Sequence, residues 1–367
     1  MRFRRSFLIN LLLFGFSILL FIFCAEVFLR LVKPQNFDVH APGMYVADPS
    51  VGYVLKPGFA GIIERSEFRV PFTVNEAGLR GPTPRPRTEN TFRILVLGDS
   101  MAFGFGVLDD ETFSVQLENM FAGRFPSLDV QVLNGSVPGY GTADELAFLK
   151  SRGAALDPDL VVVQFFSIND ILESLGPAAE WAAVEDGWLI DRNALKSDTQ
   201  PEDGWGGYGD FTNLLVWVKD QSHLFNLVSN SLGYIGLRLG LVDQIDTLWG
   251  EDFPEDAALL ASRRLVEIAE ESGRLGADCL FLYTTGQNYV LGDHYAPPRS
   301  SKVVGDAAAG GKVPWIDATP FLRDRPDRYE QFRALDGHWT AVGHRAIAEL
   351  LADRILELGF IDVGAEK

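Results

Sequence analysis

An α/β fold, a parallel sheet sandwiched between helices, is predicted by three observations on this 367-residue sequence. From about residue 91, apolar strand-like runs alternate with helical stretches, the pattern that builds a parallel sheet covered on both faces. One run, Leu160 to Phe166, is almost continuously apolar, as a strand buried on both faces requires. Three short polar segments directly follow strand-like runs, where open parallel sheets place their ligands.

Phe92 to Leu97 reads as the first strand, with a helix around Phe113 to Phe125. Asp129 to Leu133 is the next strand, followed by a helix around Ala143 to Ala155, and Leu160 to Phe166 is the third. A long helix from Asp256 to Leu275 precedes the strand Cys279 to Tyr283. Val313 to Ile316 is read as the last strand and Ala341 to Leu358 as a closing helix, so the main domain spans 91–360. Before it, residues 34–90 are rich in Pro-Gly turn signals, with short β-like pieces at Gly52 to Leu55 and Phe68 to Val74. They read as an irregular extension packed on the main domain. The alternation breaks at about 174–253, a stretch holding Trp181, Trp188, Trp205, Trp217 and Trp249 and an apolar helical part from Leu214 to Leu241. It is too long for a simple connection. It reads as an insertion that covers the site, rests on the membrane, or is packed bulk.

Residues 1–33 form a cytoplasmic tip and an apolar anchor. Arg2, Arg4 and Arg5 precede Phe7 to Ala25, nineteen residues with Asn10 as the only strongly polar one, and apolar helical character continues to about Val32. That reaches the roughly 20 residues that span a hydrocarbon core. It exceeds the apolar length of a cleavable signal, and no small-x-small site follows. The expectation is an uncleaved signal anchor. Its amino-terminal arginines keep that end cytoplasmic and put the main domain on the extracytoplasmic side. Cys24 after Ile22-Phe23 fits a lipoprotein site poorly, and Arg4-Arg5 is followed by too apolar a run for a twin-arginine signal.

Hydrophobic content of 47% with 22% charged residues describes a chain that builds a core. The net charge of −18 argues against duplex nucleic acid as a partner, because that binding needs Lys and Arg against phosphates. Cys24 and Cys279 are the only cysteines and lie in the apolar amino-terminal run and a strand, so neither a disulfide nor a thiolate zinc site is expected. No His/Asp/Glu cluster has ligand spacing, and no cofactor is implied. The glycines Gly104 and Gly106 form no G-x-G-x-x-G and no P-loop lysine follows, which sets a nucleotide loop aside.

The chemistry gathers in four segments. Gly98-Asp99-Ser100 ends the first strand on a hydroxyl, a candidate nucleophile. In Asn134 to Thr142, Gly139 can bring its N–H close to a ligand, whereas Gly141 reads as a turn glycine. In Ser167-Ile-Asn-Asp170, Asn169 offers an uncharged amide donor suited to an oxyanion hole, and Asp170 holds the loop or caps a helix. A serine nucleophile needs a base. His40 lies in the extension, His223 in the insertion and His294 in a polar loop, which leaves Leu335 to His344. Asp336 and His338 are two apart, so in an extended loop both side chains project to one side. Asp336 then fixes the tautomer of His338, leaving its other ring nitrogen for the serine proton. His344, within the closing helix, is given a packing or capping role.

"ILVLGDSMAFGFG", "LNGSVPGYGT", "VVVQFFSIND" and "LDGHWTAVGH" resemble, in order and at strand ends, the four segments of the SGNH, or GDSL-type, hydrolases. The resemblance covers about Phe92 to Leu358 less the insertion. It implies a flavodoxin-like three-layer α/β/α sandwich with Ser100 as nucleophile and His338 as general base oriented by Asp336. It further implies an oxyanion hole from the N–H groups of Ser100 and Gly139 and the amide of Asn169. Two departures stand out: Ser-Ile-Asn-Asp replaces the more familiar Gly-x-Asn-Asp, and one residue rather than two separates Asp336 from His338. Asp-x-His-Trp looks more like the polysaccharide O-acetyltransferase branch. The expectation is therefore a membrane-anchored acyl-ester hydrolase acting on a small ester or an acylated glycan or lipid. The alternatives are an O-acyltransferase acting on a glycan, and a non-catalytic glycan- or protein-binding module.

Overall fold

The computed structural model describes residues 2–32, 40–65, 67–192, 218, 221–238, 253–292 and 296–361. They fall into two compact units, 1–39 with 199–243, and 40–198 with 244–367.

The larger unit is built on a five-stranded, all-parallel sheet. Four short strands precede it: β1 (Tyr45–Asp48) pairs antiparallel with β2 (Gly52–Leu55), and β3 (Ala60–Glu64) with β4 (Arg69–Thr73). The extension is thus two hairpins, more regular than its turn-rich composition suggests. Pro49 and Pro57-Gly58 occupy turns between these strands, while Gly52, Gly61 and Pro71 lie within them. The sheet strands are β5 (Thr91–Leu97), β6 (Asp129–Asn134), β7 (Leu160–Phe166), β10 (Asp278–Thr284) and β11 (Trp315–Asp317). A further hairpin, β8 (Ala182–Glu185) with β9 (Trp188–Asp191), opens the stretch read as an insertion.

The sheet order is β11-β10-β7-β5-β6, so the chain moves outward to β6, returns past β5 to β7, and continues the other way. This is the flavodoxin-like doubly wound order, and its direction changes between β5 and β7. Strand period sorts the side chains into two cores. Leu95, Leu97, Val161, Val163, Phe165, Phe281 and Tyr283 face one side, under the helices Thr142–Leu156, Glu255–Arg274 and Arg299–Gly311. Ile94, Val96, Leu160, Val162, Leu280 and Leu282 face the other, under the helices Phe113–Arg124 and Ala341–Glu357. The expected elements are present with ends shifted by a residue or two, within the fraying of such boundaries. The Arg299–Gly311 helix was not anticipated, because its sequence carries three glycines and little apolar bulk.

Extension side chains Tyr53, Leu55, Ile63, Phe72 and Val74 join the first core. Arg80, just after the second hairpin, is fully buried. Its guanidinium donates to Phe103 O (2.9 Å), Gly104 O (2.5 Å) and Val107 O (2.6 Å), and pairs with Asp109 at 3.1 Å. It thereby satisfies the carbonyls that the short Ser100–Phe103 helix leaves open at its carboxyl end. Burial pulls the Arg80 guanidinium down to about 10, and the Asp109 charge works against that pull. Arg80→Leu is expected to cost about 3 kcal/mol or more in urea unfolding, because it takes the buried donor away from three backbone carbonyls. A loss under about 1 kcal/mol would contradict this account.

The smaller unit holds the helix Arg2–Val32 and the helix His223–Arg238. Ile9–Val32 is long and apolar enough to cross a membrane, and most of its large side chains, though not Leu29, are exposed. Glu26, near its carboxyl end, accepts from Ser222 Oγ (2.9 Å), His223 N (3.1 Å) and Leu224 N (2.9 Å) and pairs with Arg30. This carboxylate caps the second helix, which accounts for an acid in so apolar a segment. The stretch expected as one insertion therefore divides: 174–192 belongs with the larger unit and 221–238 with the apolar helix. Trp205, Trp217 and Trp249 lie outside the described residues, as does His294.

Candidate active site

The crevice where the sheet order changes direction receives the segments that end β5, β6 and β7. Gly98 permits the first of these. A Cβ there would come within 2.7 Å of Ala102 Cβ and 2.8 Å of Gln164 Oε1 on β7, so the chain turns against its neighbour only without one. Asp99 then caps the next turn, its Oδ1 accepting from Met101 N at 2.8 Å, and Ser100 opens the helix Ser100–Phe103. The segment after β6 is tied to this turn by Val137 N donating to Gly98 O at 3.0 Å.

Ser100, Asp336 and His338 come together. Ser100 Oγ lies 2.7 Å from His338 Nε2, and His338 Nδ1 lies 2.5 Å from Asp336 Oδ1. Ser100 is positioned to donate to Nε2 while the Nδ1–H donates to the carboxylate, the tautomer that leaves a basic nitrogen facing the hydroxyl. Burial acts against the Asp336 charge. The hydrogen bond and charge of His338, with Arg65, outweigh it and hold the carboxyl below the ordinary range. The loop is not extended, however, because Gly337 adopts φ +80°. Arg333 N donates to His338 O (2.8 Å) and Gly337 N to Arg333 O (3.0 Å), closing a tight turn that brings both side chains to one side. Phe105 flanks the imidazole, with ring centroids 5.0 Å apart.

Gly139 stands at φ +82°, a left-handed position, and a Cβ there would lie 2.9 Å from Tyr53 Oη. Tyr53 itself donates to Pro138 O at 2.9 Å, and Tyr140 Oη donates to Tyr53 O. The turn expected from sequence as one oxyanion donor is thus pinned by the extension. Gly141 is the turn glycine before the helix Thr142–Leu156, its N–H donating to Asp144 Oδ2.

Asn169 is at the crevice, but its amide is already engaged. Nδ2 donates to Asp99 Oδ2 (3.1 Å) and to Glu173 Oε2 (2.9 Å), while Oδ1 is buried with no partner. Asp170 holds the loop, accepting from Phe166 N at 2.7 Å. His344 caps the helix Phe113–Arg124 by accepting from Phe113 N at 3.2 Å. Burial drives its imidazole down to about 3. Trp339 is fully buried in the second core, edge-on to His344. It therefore packs behind the site and does not line it.

Sequence reasoning singled out Asp170 but not the acids grouped with it around Asn169: Asp99, Asp144, Glu145 and Glu173. Burial raises all five, and repulsion between them adds to it at Glu145, Asp170 and Glu173. Asp144 goes up to about 7, and Glu173, its burial reinforced by the Asp99 charge, up to about 8. Close-spaced acids on helices, Asp144 with Glu145 and Asp170 with Glu173, look like an ordinary solvated pattern in sequence. Only tertiary packing encloses them.

A parallel α/β sandwich with a hydrogen-bonded Ser, His and Asp at its strand ends defines the serine-hydrolase class of site. More particularly, residues 96–346 match the GDSL-like lipase/acylhydrolase family. The chain belongs to that family, as an SGNH-type ester hydrolase. It is similar to TesA, at 19% identity and a TM-score of 0.40, covering 72% of this chain and 99% of TesA. It is also similar to the lipase/acylhydrolase from Enterococcus faecalis, at 14% identity and a TM-score of 0.39, covering 73% and 96%. A catalytic mutant of Axe2, an acetylxylan esterase from Geobacillus stearothermophilus, aligns at 14% identity and a TM-score of 0.40, covering 74% and 95%. No curated protein sequence matches significantly.

The raised acids set a pH dependence of stability. A carboxyl raised in the folded state binds its proton more tightly there, so its stabilising contribution is full below the ordinary carboxylate pKa of about 4.3. That contribution is lost as pH rises through the folded values of about 7 and about 8. Asp336 and other lowered acids act in the opposite sense below this window, and the buried His344, lowered to about 3, does so up to the ordinary imidazole pKa of about 6.5. The urea midpoint is expected to fall between about pH 6.5 and about pH 9, and Glu173→Gln to flatten that fall. An unchanged slope in the variant would remove Glu173 from the account.

Proposed function

We propose that this chain cleaves an acyl ester through an acyl-enzyme on Ser100, on the extracytoplasmic side of a membrane to which its amino-terminal helix anchors it. The observation that carries the chemistry is the unbroken Ser100–His338–Asp336 hydrogen-bond chain, at 2.7 and 2.5 Å. His338 Nε2 takes the Ser100 proton as Oγ attacks the ester carbonyl, and Asp336 stabilises the imidazolium. The Ser100 and Gly139 N–H groups and the Asn169 amide are the proposed donors to the tetrahedral oxyanion. The imidazolium then gives its proton to the leaving alcohol. Water, deprotonated by the same nitrogen, attacks the acyl-enzyme and releases the acid and free Ser100.

Transfer of the acyl group to a glycan hydroxyl is a second reading, favoured by the single residue between Asp336 and His338. The tryptophan of that segment adds nothing to it, because Trp339 is buried away from the site. Acetate released into water distinguishes hydrolysis from acetyl recovered on an added sugar. A non-catalytic binding module has no need for a complete proton relay. The anchor reading rests on the exposed apolar span Ile9–Val32 and the arginines Arg2, Arg4 and Arg5 ahead of it.

Ser100→Ala is expected to abolish hydrolysis of a short-chain aryl ester and labelling by a fluorophosphonate probe while the thermal unfolding midpoint is retained. Persisting turnover would overturn the assignment. Asn169→Ala is expected to lower kcat by about 10²–10³-fold, the cost of one oxyanion donor. An effect confined to KM would assign Asn169 to binding instead.

A further inference from the structure

We infer that Glu67, on the extension outside the family-matched residues, positions the Asp336–His338 loop for proton transfer. Glu67 sits in the turn joining β3 to β4. Its Oε2 accepts from Leu335 N at 2.9 Å and from Asp336 N at 2.7 Å. These are two consecutive backbone N–H groups, one of them the orienting acid's own. The loop is otherwise tied mainly through itself and Arg333, whose Nη2 donates to Gly106 O at 2.8 Å and whose guanidinium lies 5.0 Å from the Phe68 ring. Two further contacts come from the same hairpin. Phe68 meets Phe105, the ring beside His338, and Arg65 lies 5.6 Å from that same ring with its charge facing Asp336.

The physical case is one of alignment. The loop turns at Gly337 through a left-handed residue, so its lowest-energy free form has no reason to hold Asp336 against His338. A carboxylate that takes two adjacent N–H groups fixes the peptide plane before Asp336 and hence the direction of its side chain. Misplacing the acid by a fraction of an ångström misaligns the imidazole and its bond to Ser100, a loss that appears in the chemical step. Glu67 is therefore a positioning residue: its contacts run to backbone N–H groups, and it acts through Asp336.

The inference rests on the Ser100 acyl-enzyme reading, and the test separates the two. In the full-length protein, Glu67→Ala is expected to lower kcat for a short-chain aryl ester between about 10- and 100-fold with KM little changed. Glu67→Gln keeps an oxygen that accepts both N–H groups, and is expected to restore most of that loss. The far-downfield proton resonance of the Asp336–His338 hydrogen bond, read in resting enzyme, is expected to persist in Glu67→Gln and to broaden or move in Glu67→Ala. Unchanged kcat and an unmoved resonance in Glu67→Ala would overturn the inference. So would a Gln variant with both readouts as impaired as in Ala. If Glu67→Ala fails to fold, Glu67→Gln and Glu67→Asp carry the same comparison, with the shortened Asp expected to lose rate and resonance. Should the wild type turn over no ester and take no fluorophosphonate, the acyl-enzyme reading fails, while the resonance still decides whether Glu67 aligns the loop.

Discussion

His338 Nε2 meets Ser100 Oγ at 2.7 Å across 238 residues of sequence, and the rest of the larger unit is organised so that this one contact forms. Neither partner is held by its own neighbours alone. Ser100 is placed by the end of β5, where Gly98 lets the chain turn against Gln164 of β7. His338 is placed by a tight turn anchored between Trp339, buried in the second core, and the backbone bond from Arg333. The sheet sets the first position and the closing helix with its preceding loop sets the second. The hydrogen bond registers their relative placement.

The extension supplies what the sheet does not. Arg80 closes the carboxyl end of the helix Ser100–Phe103, Tyr53 pins the Pro138–Gly139 turn, and Glu67 ties the loop before His338. One side chain reaches each of three segments that converge on the crevice, and all three come from residues 40–90. A stretch that precedes the family-matched domain is thereby part of the site's support. Its two hairpins bury Phe72, Ile63 and Leu55 in the first core, which gives these polar contacts a rigid base.

Much of this architecture was legible in the sequence, for a reason that lies in parallel sheets. Every strand ends on the same edge, so short polar segments after apolar runs must converge, and Ser100, Gly139 and Asn169 could be read as neighbours. Asp336 and His338 were legible because their chemistry is local, although the loop reaches its geometry through a left-handed Gly337 and not through extension. Glu67, Arg80 and Tyr53 were not legible. They act on backbone atoms of distant segments, and a side chain that bonds a carbonyl or an N–H leaves no mark on the partner's sequence. The Arg299–Gly311 helix was hidden by its glycines. The aromatic stretch was read as one insertion because composition does not reveal that its parts pack against different neighbours.

The acids behind Asn169 bear on how the proposed oxyanion donor can work while its amide is engaged. Two acceptors, Asp99 and Glu173, hold the carboxamide in one orientation, with both N–H groups occupied. Two full carboxylates would compete strongly with any oxyanion for those hydrogens. Burial and the Asp99 charge push Glu173 up to about 8, so near neutral pH it is mainly protonated and accepts a weaker hydrogen bond than a carboxylate would. A developing oxyanion carries a full charge and draws an N–H from a neutral acceptor more readily than from an ionised one. Asp99 is fixed by the bond from Met101 N beside Ser100, and so keeps the amide in place as the other contact is exchanged. On this view the buried acids, costly to stability at high pH, hold the donor ready in the resting enzyme and yield it when charge appears on the substrate.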